Sequence, residues 1–391
     1  MPKLGYSAHI RWVWDGKIHL YLEPILKMDR NRITEYSSSL GVVYIAVSVF
    51  SIAAQSVLLV FMLLAGVIYY FSTERRNAVK IDSRLVWLSI PAVYLFSLFY
   101  CRDFIRGWNQ WLNMVPLIVL SLYFFVFRAH LKKQNLVIGF ISAVLVSVIG
   151  HVLLPVFHLL VWIKGTTPIS FFHTADQNSW IIWAAAILSI DYIDNKLIKV
   201  LLFLIFELAL LYFGSIRLAT FVWIFYIIHF LSQKISIKEL AVQLVTAFPV
   251  VVIISFALFP SFNLTVSQLS EFGFKLKNEI VFSWYQFLKH PITGVGIGDY
   301  LHAMWNEYND HNLTNPDKPF FQFFHLLVST GLVGLWPLYM IWNTLRFEST
   351  PAIRMALYLC GGLLFFAPFT SQVSCSAFIL PFLINSMDER I

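Results

Sequence analysis

The sequence predicts an all-α, polytopic membrane protein of about twelve transmembrane helices with one long external loop. Three observations predict it. Hydrophobic residues make up 59% of the 391 and charged residues 13%, with a mean hydropathy of +0.72, whereas a globular domain is nearer half apolar and a quarter charged. Apolar stretches of about 18 residues or more, each able to cross a bilayer, recur along the whole chain. The polar segments between them are short, except for residues 261–320.

The helices are expected at 39–54, 56–71, 84–101, 110–127, 135–163, 179–190, 198–214, 217–231, 239–260, 321–345, 353–371 and 374–387. Residues 39–71 read either as one long tilted helix or as a tight hairpin across Gln55. Charge selects the hairpin. With the N-terminus inside, the cytoplasmic segments hold twenty of the 28 Lys and Arg residues, as the positive-inside bias requires. A single helix at 39–71 would invert every later loop and break that asymmetry. Both termini are therefore expected in the cytoplasm. The chain divides into a polar N-terminal segment, 1–38, and one integral membrane domain, 39–391. Residues 1–38 lack the compact apolar core of a cleavable signal.

The net charge of +7 and pI near 9.2 follow from basic cytoplasmic loops, so nucleic acid is not expected as a partner. Cys101, Cys360 and Cys375 have neither metal-ligand nor disulfide spacing. The loop 261–320 contains a predicted amphipathic helix at 270–289, then turn-rich sequence with Trp284, Tyr285, Trp305 and Tyr308. Loops of this length are functional or disordered, and the aromatic residues speak against disorder.

Unusual residues gather on the external side. Arg217, in Gly214–Thr220, precedes about fourteen apolar residues, and an ionisable group there is costly unless it serves a function; the competing account has it end a turn and reach headgroups. Arg102 and Arg106 share a face if their segment is helical. Their guanidiniums match phosphate oxygens, or else Arg102 pairs with Asp103 and both anchor to lipid. His290-Pro-Ile-Thr-Gly294-Val-Gly296-Ile-Gly298 is the most distinctive string. Its alternate glycines permit positive φ or close backbone approach, and their spacing is not that of a dinucleotide fingerprint. His290, His302, His311 and His325 could supply a general base. With Asp299, Glu307, Asp310 and Asp317 they could also suggest a metal, but no tight ligand pair is present. Glu207, His151 and His158 are polar residues within predicted spans, which a transporter would use as a relay and helix packing would use for hydrogen bonds.

Four strings resemble one family: Asp176-Gln177-Asn178, Ser215-Ile216-Arg217-Leu218-Ala219, His290-Pro291-Ile292-Thr293-Gly294-Val295-Gly296 and Gly331-Leu332-Val333-Gly334-Leu335. In order and spacing they are similar to the O-antigen ligase and O-antigen polymerase superfamily of bacterial envelope glycosyltransferases. The resemblance covers roughly 170–345 and implies an undecaprenyl-diphosphate glycan as donor. The acceptor would be lipid A–core oligosaccharide for a ligase, or another lipid-linked glycan for a polymerase. It also implies inner-membrane localisation, a periplasmic active face, inverting chemistry and no cofactor or metal. Arg217 would stabilise the leaving diphosphate, supported by Arg102 and Arg106, with Lys275 or Lys277 on a donor or acceptor phosphate and His290, Gly294 and Gly296 in the binding loop. His311 is the expected base and His325 its substitute, because Phe320-Phe321 stands where the family has a His-Asn pair. A ligase is preferred over a polymerase; a flippase or an inactive relative are the other readings.

Overall fold

The computed structural model describes residues 30–72, 83–127, 130–156, 175–212, 218–219, 222–223, 266–310, 319, 321–345 and 368–388. All regular structure among them is helical. The expected helix at 239–260 lies outside the described residues, as do Arg217 and His311 and nearly all of 217–231 and 353–371.

Helices α1 (Arg30–Ser48) and α2 (Ile52–Ser72) form the expected hairpin. Its turn falls at Val49–Ser51 rather than at Gln55. Gln55 is instead buried just past the turn, where Nε2 donates to Tyr44 Oη at 3.1 Å and Ser376 Oγ at 2.6 Å. Helix α1 starts nine residues before the apolar run does, because a helix can project polar turns beyond a membrane without losing backbone hydrogen bonds.

The expected helices 84–101 and 110–127 are both interrupted. The first becomes α3 (Ser83–Val86) and α4 (Ser89–Ser97), the second α5 (Phe104–Leu112) and α6 (Val115–Phe127). Pro91 and Pro116 explain both breaks. Proline has no N–H and its ring crowds the carbonyl four residues upstream, which here is Trp87 or Leu112. Then come α7 (Lys133–Val156), α8 (Ala175–Tyr192) and α9 (Lys196–Tyr212). Helices α10 (Val266–Lys289) and α11 (Tyr300–Asp310) occupy the predicted loop. After them, α12 (Gln322–Thr330), α13 (Leu335–Leu345) and α14 (Gln372–Asn385) complete the described chain.

Helix α8 is apolar on every face and buried on every face from Asn178 to Ile190, as an all-round apolar helix must be. It packs on α7, α9 and α14, and α14 on α6. Trp183 stacks on Phe378 at 6.2 Å within this centre. A second, smaller core joins α10, α11 and α12 through Phe282, Tyr300, Leu301, Met304, Tyr308 and Val328.

By length and composition, three helical stretches among the described residues can cross a membrane: α5–α6 (Phe104–Phe127), Lys133–Gly150 of α7, and α12–α13 (Gln322–Ile341). The described residues are thus all-helical, with three segments of spanning length and composition, as a membrane protein would have. Ala53–Tyr69, Ser89–Tyr100 and Gln372–Ile384 are apolar but shorter. The span Phe104–Phe127 has Arg102 and Arg106 at one end and His130, Lys132 and Lys133 beyond the other. At that second end Lys133 lies 4.3 Å from the Tyr192 ring centroid, and Tyr69 Oη meets His130 Nε2 at 3.1 Å.

Candidate anion site on a backbone knot

Helix α12 stops at Thr330 because Gly331 takes φ +61°, ψ −149°, a non-helical backbone conformation essentially open only to glycine. The last carbonyls of any helix lack intrahelical partners. Here the glycine-rich string supplies them. Val295 N–H donates to Val328 O at 2.8 Å and Gly296 N–H to Ser329 O at 2.9 Å, while Leu332 N–H returns to Pro291 O at 2.9 Å. Gly294 (φ +71°) and Gly296 (φ +96°) make this course possible. A Cβ on Gly294 would come closer than 3.0 Å to backbone atoms of Val328, Ser329 and Thr330, and one on Gly331 would crowd Ile292 in the same way. The two glycine motifs of the sequence are therefore one knot of backbone against backbone.

The arginine loop seats on the other side of that knot. Asp299 accepts from the backbone N–H of Arg102 at 2.7 Å and of Asp103 at 3.3 Å. Asp103 caps α5 by accepting from Arg106 N–H at 3.0 Å. Ser97 Oγ accepts from Ile297 N–H at 3.3 Å, and Tyr100 Oη donates to Thr293 O. Gly298 and Gly107 face each other so closely that a Cβ on Gly298 would strike the backbone of Asp103 and Gly107. Both carboxylates are spent on backbone donors, and among the described residues neither guanidinium makes an ion pair. Arg102 is exposed; Arg106 is half-buried, its Cζ 5.1 Å from the Trp305 ring centroid on α11. Such an arrangement presents two cations on a rigid base, with one guanidinium steadied over an aromatic face.

The Cys101 thiol sits against this junction and donates to Asp103 O at 3.1 Å. Burial, and then the Asp299 charge, push its pKa up.

Behind the knot runs a buried polar chain. Glu279 on α10 accepts from Tyr300 Oη at 3.1 Å and from Phe321 N–H at 3.2 Å. Burial and the Glu279 carboxylate push the Tyr300 phenol well up, so it remains a donor. The Tyr300 and His325 rings meet edge to face at 4.6 Å. His325 Nδ1 lies 2.8 Å from Tyr94 Oη and 3.1 Å from Gln322 Nε2. Gln322 Nε2 also donates to Tyr94 Oη at 2.9 Å, and its Oε1 accepts from Phe369 N–H at 3.3 Å. An amide nitrogen can only donate, so Nδ1 of His325 is the acceptor and its proton sits on Nε2.

The structure thus brings together Arg102, Arg106, Gly294 and Gly296, with His290 exposed at the start of the same string. The helical shared face expected for Arg102 and Arg106 is not formed, because Arg102 precedes the α5 cap. His325 is buried beneath the knot, with Nε2 its one ring nitrogen not held by Tyr94 or Gln322. Lys277 is exposed on α10, thirteen residues or about 20 Å along the helix from His290; Lys275 lies two residues further away on that helix. Among the described residues no three His, Cys, Asp or Glu side chains converge as a metal cluster would. The chain matches none of the protein-family models or curated proteins with which it was compared.

Glu279, Tyr94, Gln322 and Asp299 carry the site's internal hydrogen bonds, yet sequence reasoning assigned them no role beyond listing Asp299 as a possible ligand. Only Glu279 left a trace. It stands on the same α10 stripe as Phe282, Ser283 and Gln286, where an unpaired carboxylate would be expensive.

Proposed function

We propose that this chain is a membrane glycosyltransferase similar to the O-antigen ligases and polymerases, moving a glycan from an undecaprenyl-diphosphate carrier at the periplasmic face of the inner membrane. The observation that carries the reading is the pair Arg102 and Arg106, free of carboxylate partners among the described residues and mounted where the two glycine motifs interlock. A diphosphate leaving group develops charge as its bond to the anomeric carbon breaks, and fixed cations stabilise that charge most. In this reaction the acceptor hydroxyl oxygen attacks the anomeric carbon, its proton passes to a base, and the diphosphate departs with the bonding electrons. Arg217 is assigned to the diphosphate with Arg106 and Arg102 in support. His311 is assigned as the base; His325, the alternative, would have to release Tyr94 and Gln322 from Nδ1 before it could take a proton. The basic end of the bundle, with Lys132, Lys133, Lys196 and Lys199, is assigned to the cytoplasm on the positive-inside bias.

Lipid A–core oligosaccharide is the preferred acceptor and a second lipid-linked glycan the alternative. A transporter reading has one specific observation behind it: Glu207 is buried in α9 and, among the described residues, neither carboxylate oxygen has a hydrogen-bond partner. Replacement of Arg106 by Ala tests the enzyme reading. Loss of one such cation costs about 2.7–4 kcal/mol, a rate loss on the order of a hundredfold or more. Glycan should then accumulate on the carrier in the outer leaflet while surface polysaccharide falls. Accumulation on the cytoplasmic leaflet, or the same phenotype from Glu207→Gln with Arg106→Ala silent, would favour transport instead.

A further inference from the structure

Helix α10 has its polarity reversed. Its protein-facing side carries Glu279, Phe282, Ser283, Gln286 and Phe287, all buried. Its outward side carries Ile280, Val281, Trp284, Tyr285 and Leu288, all exposed, with exposed Lys277 one turn before Ile280–Val281. At 100° per residue Ile280, Val281, Trp284, Tyr285 and Leu288 span an arc of roughly 140°. A helix standing in water shows the opposite pattern. The outward stripe also does not end with the helix. Ile292, 67% exposed, follows it, and the Pro291–Leu332 and Gly331–Ile292 backbone contacts set it beside Leu332, 51% exposed. Leu332, Val333 and Trp336 belong to the outward face of the membrane span Gln322–Ile341. One apolar surface therefore runs from a spanning helix onto α10.

We infer that α10 is an interfacial helix: its Ile280–Leu288 face lies in the bilayer surface at the Arg102/Arg106 end, rather than in the aqueous compartment expected for residues 261–320. The occupant of this face is lipid. Aromatic residues with one wet edge, such as Trp284 and Tyr285, concentrate at the headgroup boundary. Lys277 adds a cation to the stripe, which suits anionic headgroups, and lysine's aliphatic stem lets its charge reach water from an apolar face; Lys289 is instead paired with Glu307 of α11. Five charged residues in Val266–Lys289 exclude a full crossing, and an amphipathic helix of this kind lies in the interface plane. The consequence for the anion site is geometric. The knot that follows Lys289 is held at headgroup depth, so a lipid-borne phosphate reaches Arg102 and Arg106 by lateral diffusion. The inference rests on the reading that Gln322–Ile341 crosses a bilayer.

The test uses the unaltered full chain in liposomes containing a phospholipid with a diazirine near the acyl carbonyl. After illumination, lipid adducts are mapped by mass spectrometry. Adducts are expected both within 278–289 and on the Leu332–Trp336 face. Adducts on Leu332–Trp336 with none on 278–289 would overturn the interfacial placement while leaving the spanning helix intact. Adducts at neither place would overturn the membrane reading of both segments.

Discussion

Gly294 is the position at which a single methyl group tests the knot. Replacement by Ala puts an L side chain at φ +71°, which costs about 1–2 kcal/mol by itself. The new Cβ would also fall within 3.0 Å of Val328, Ser329 and Thr330 backbone atoms. Backbone cannot rotate away as a side chain can, so the string must lift off the end of α12. Lifting breaks the Val295–Val328 and Gly296–Ser329 hydrogen bonds, each worth about 0.5–1.5 kcal/mol net. The sum is roughly 2–5 kcal/mol of local stability, or a factor of about 30 or more in the opening equilibrium at 1.4 kcal/mol per decade. Hydrogen exchange on the full chain in detergent reads this directly: the Val295 and Gly296 amides should exchange at least about tenfold faster. Gly66 on α2 provides the control, since a Cβ there meets nothing within 4 Å. Gly66→Ala should be neutral or stabilising by up to about 1 kcal/mol. If the two variants behave alike in exchange and melting, the knot does not hold the string and the reasoning is wrong.

Glu279 separates hydrogen bonding from charge: Glu279→Gln keeps an acceptor for Tyr300 and Phe321, whereas Glu279→Leu strands both donors. The Leu variant should lose about 1–3 kcal/mol more than the Gln variant, seen as a lower melting temperature of the full chain; equal losses would refute the acceptor role. Cys101 should be alkylated more slowly than a free cysteine at neutral pH, because a raised thiol pKa lowers the thiolate fraction. Its rate–pH profile should lie on the alkaline side of that of a cysteine peptide. Asp299→Asn should move it back toward acid, as followed by site-resolved mass spectrometry; no displacement in either protein would contradict the assigned environment.

Much of this molecule could be read from residue order alone. The all-helical class follows from apolar runs of spanning length. The α1–α2 hairpin follows from charge asymmetry, although its turn lies at Val49–Ser51 and not at Gln55. The amphipathic helix at 270–289 follows from its 3.6-residue period, and the two glycine strings were singled out because glycine tolerates backbone no other residue does. These signals are local: propensity, period and chirality act within a few residues. What the tertiary structure alone decided is who meets whom. No periodicity says that Gly294 lies on the carbonyl end of α12, or that Asp299 holds the backbone of Arg102, since these contacts span 35 and 197 residues and depend on how helices pack. Nor does the period of α10 say which of its two faces is buried. Its moment is symmetrical between water outside and lipid outside, and only the packing of Glu279 and Gln286 inward, with Trp284 and Leu288 outward, chooses between them.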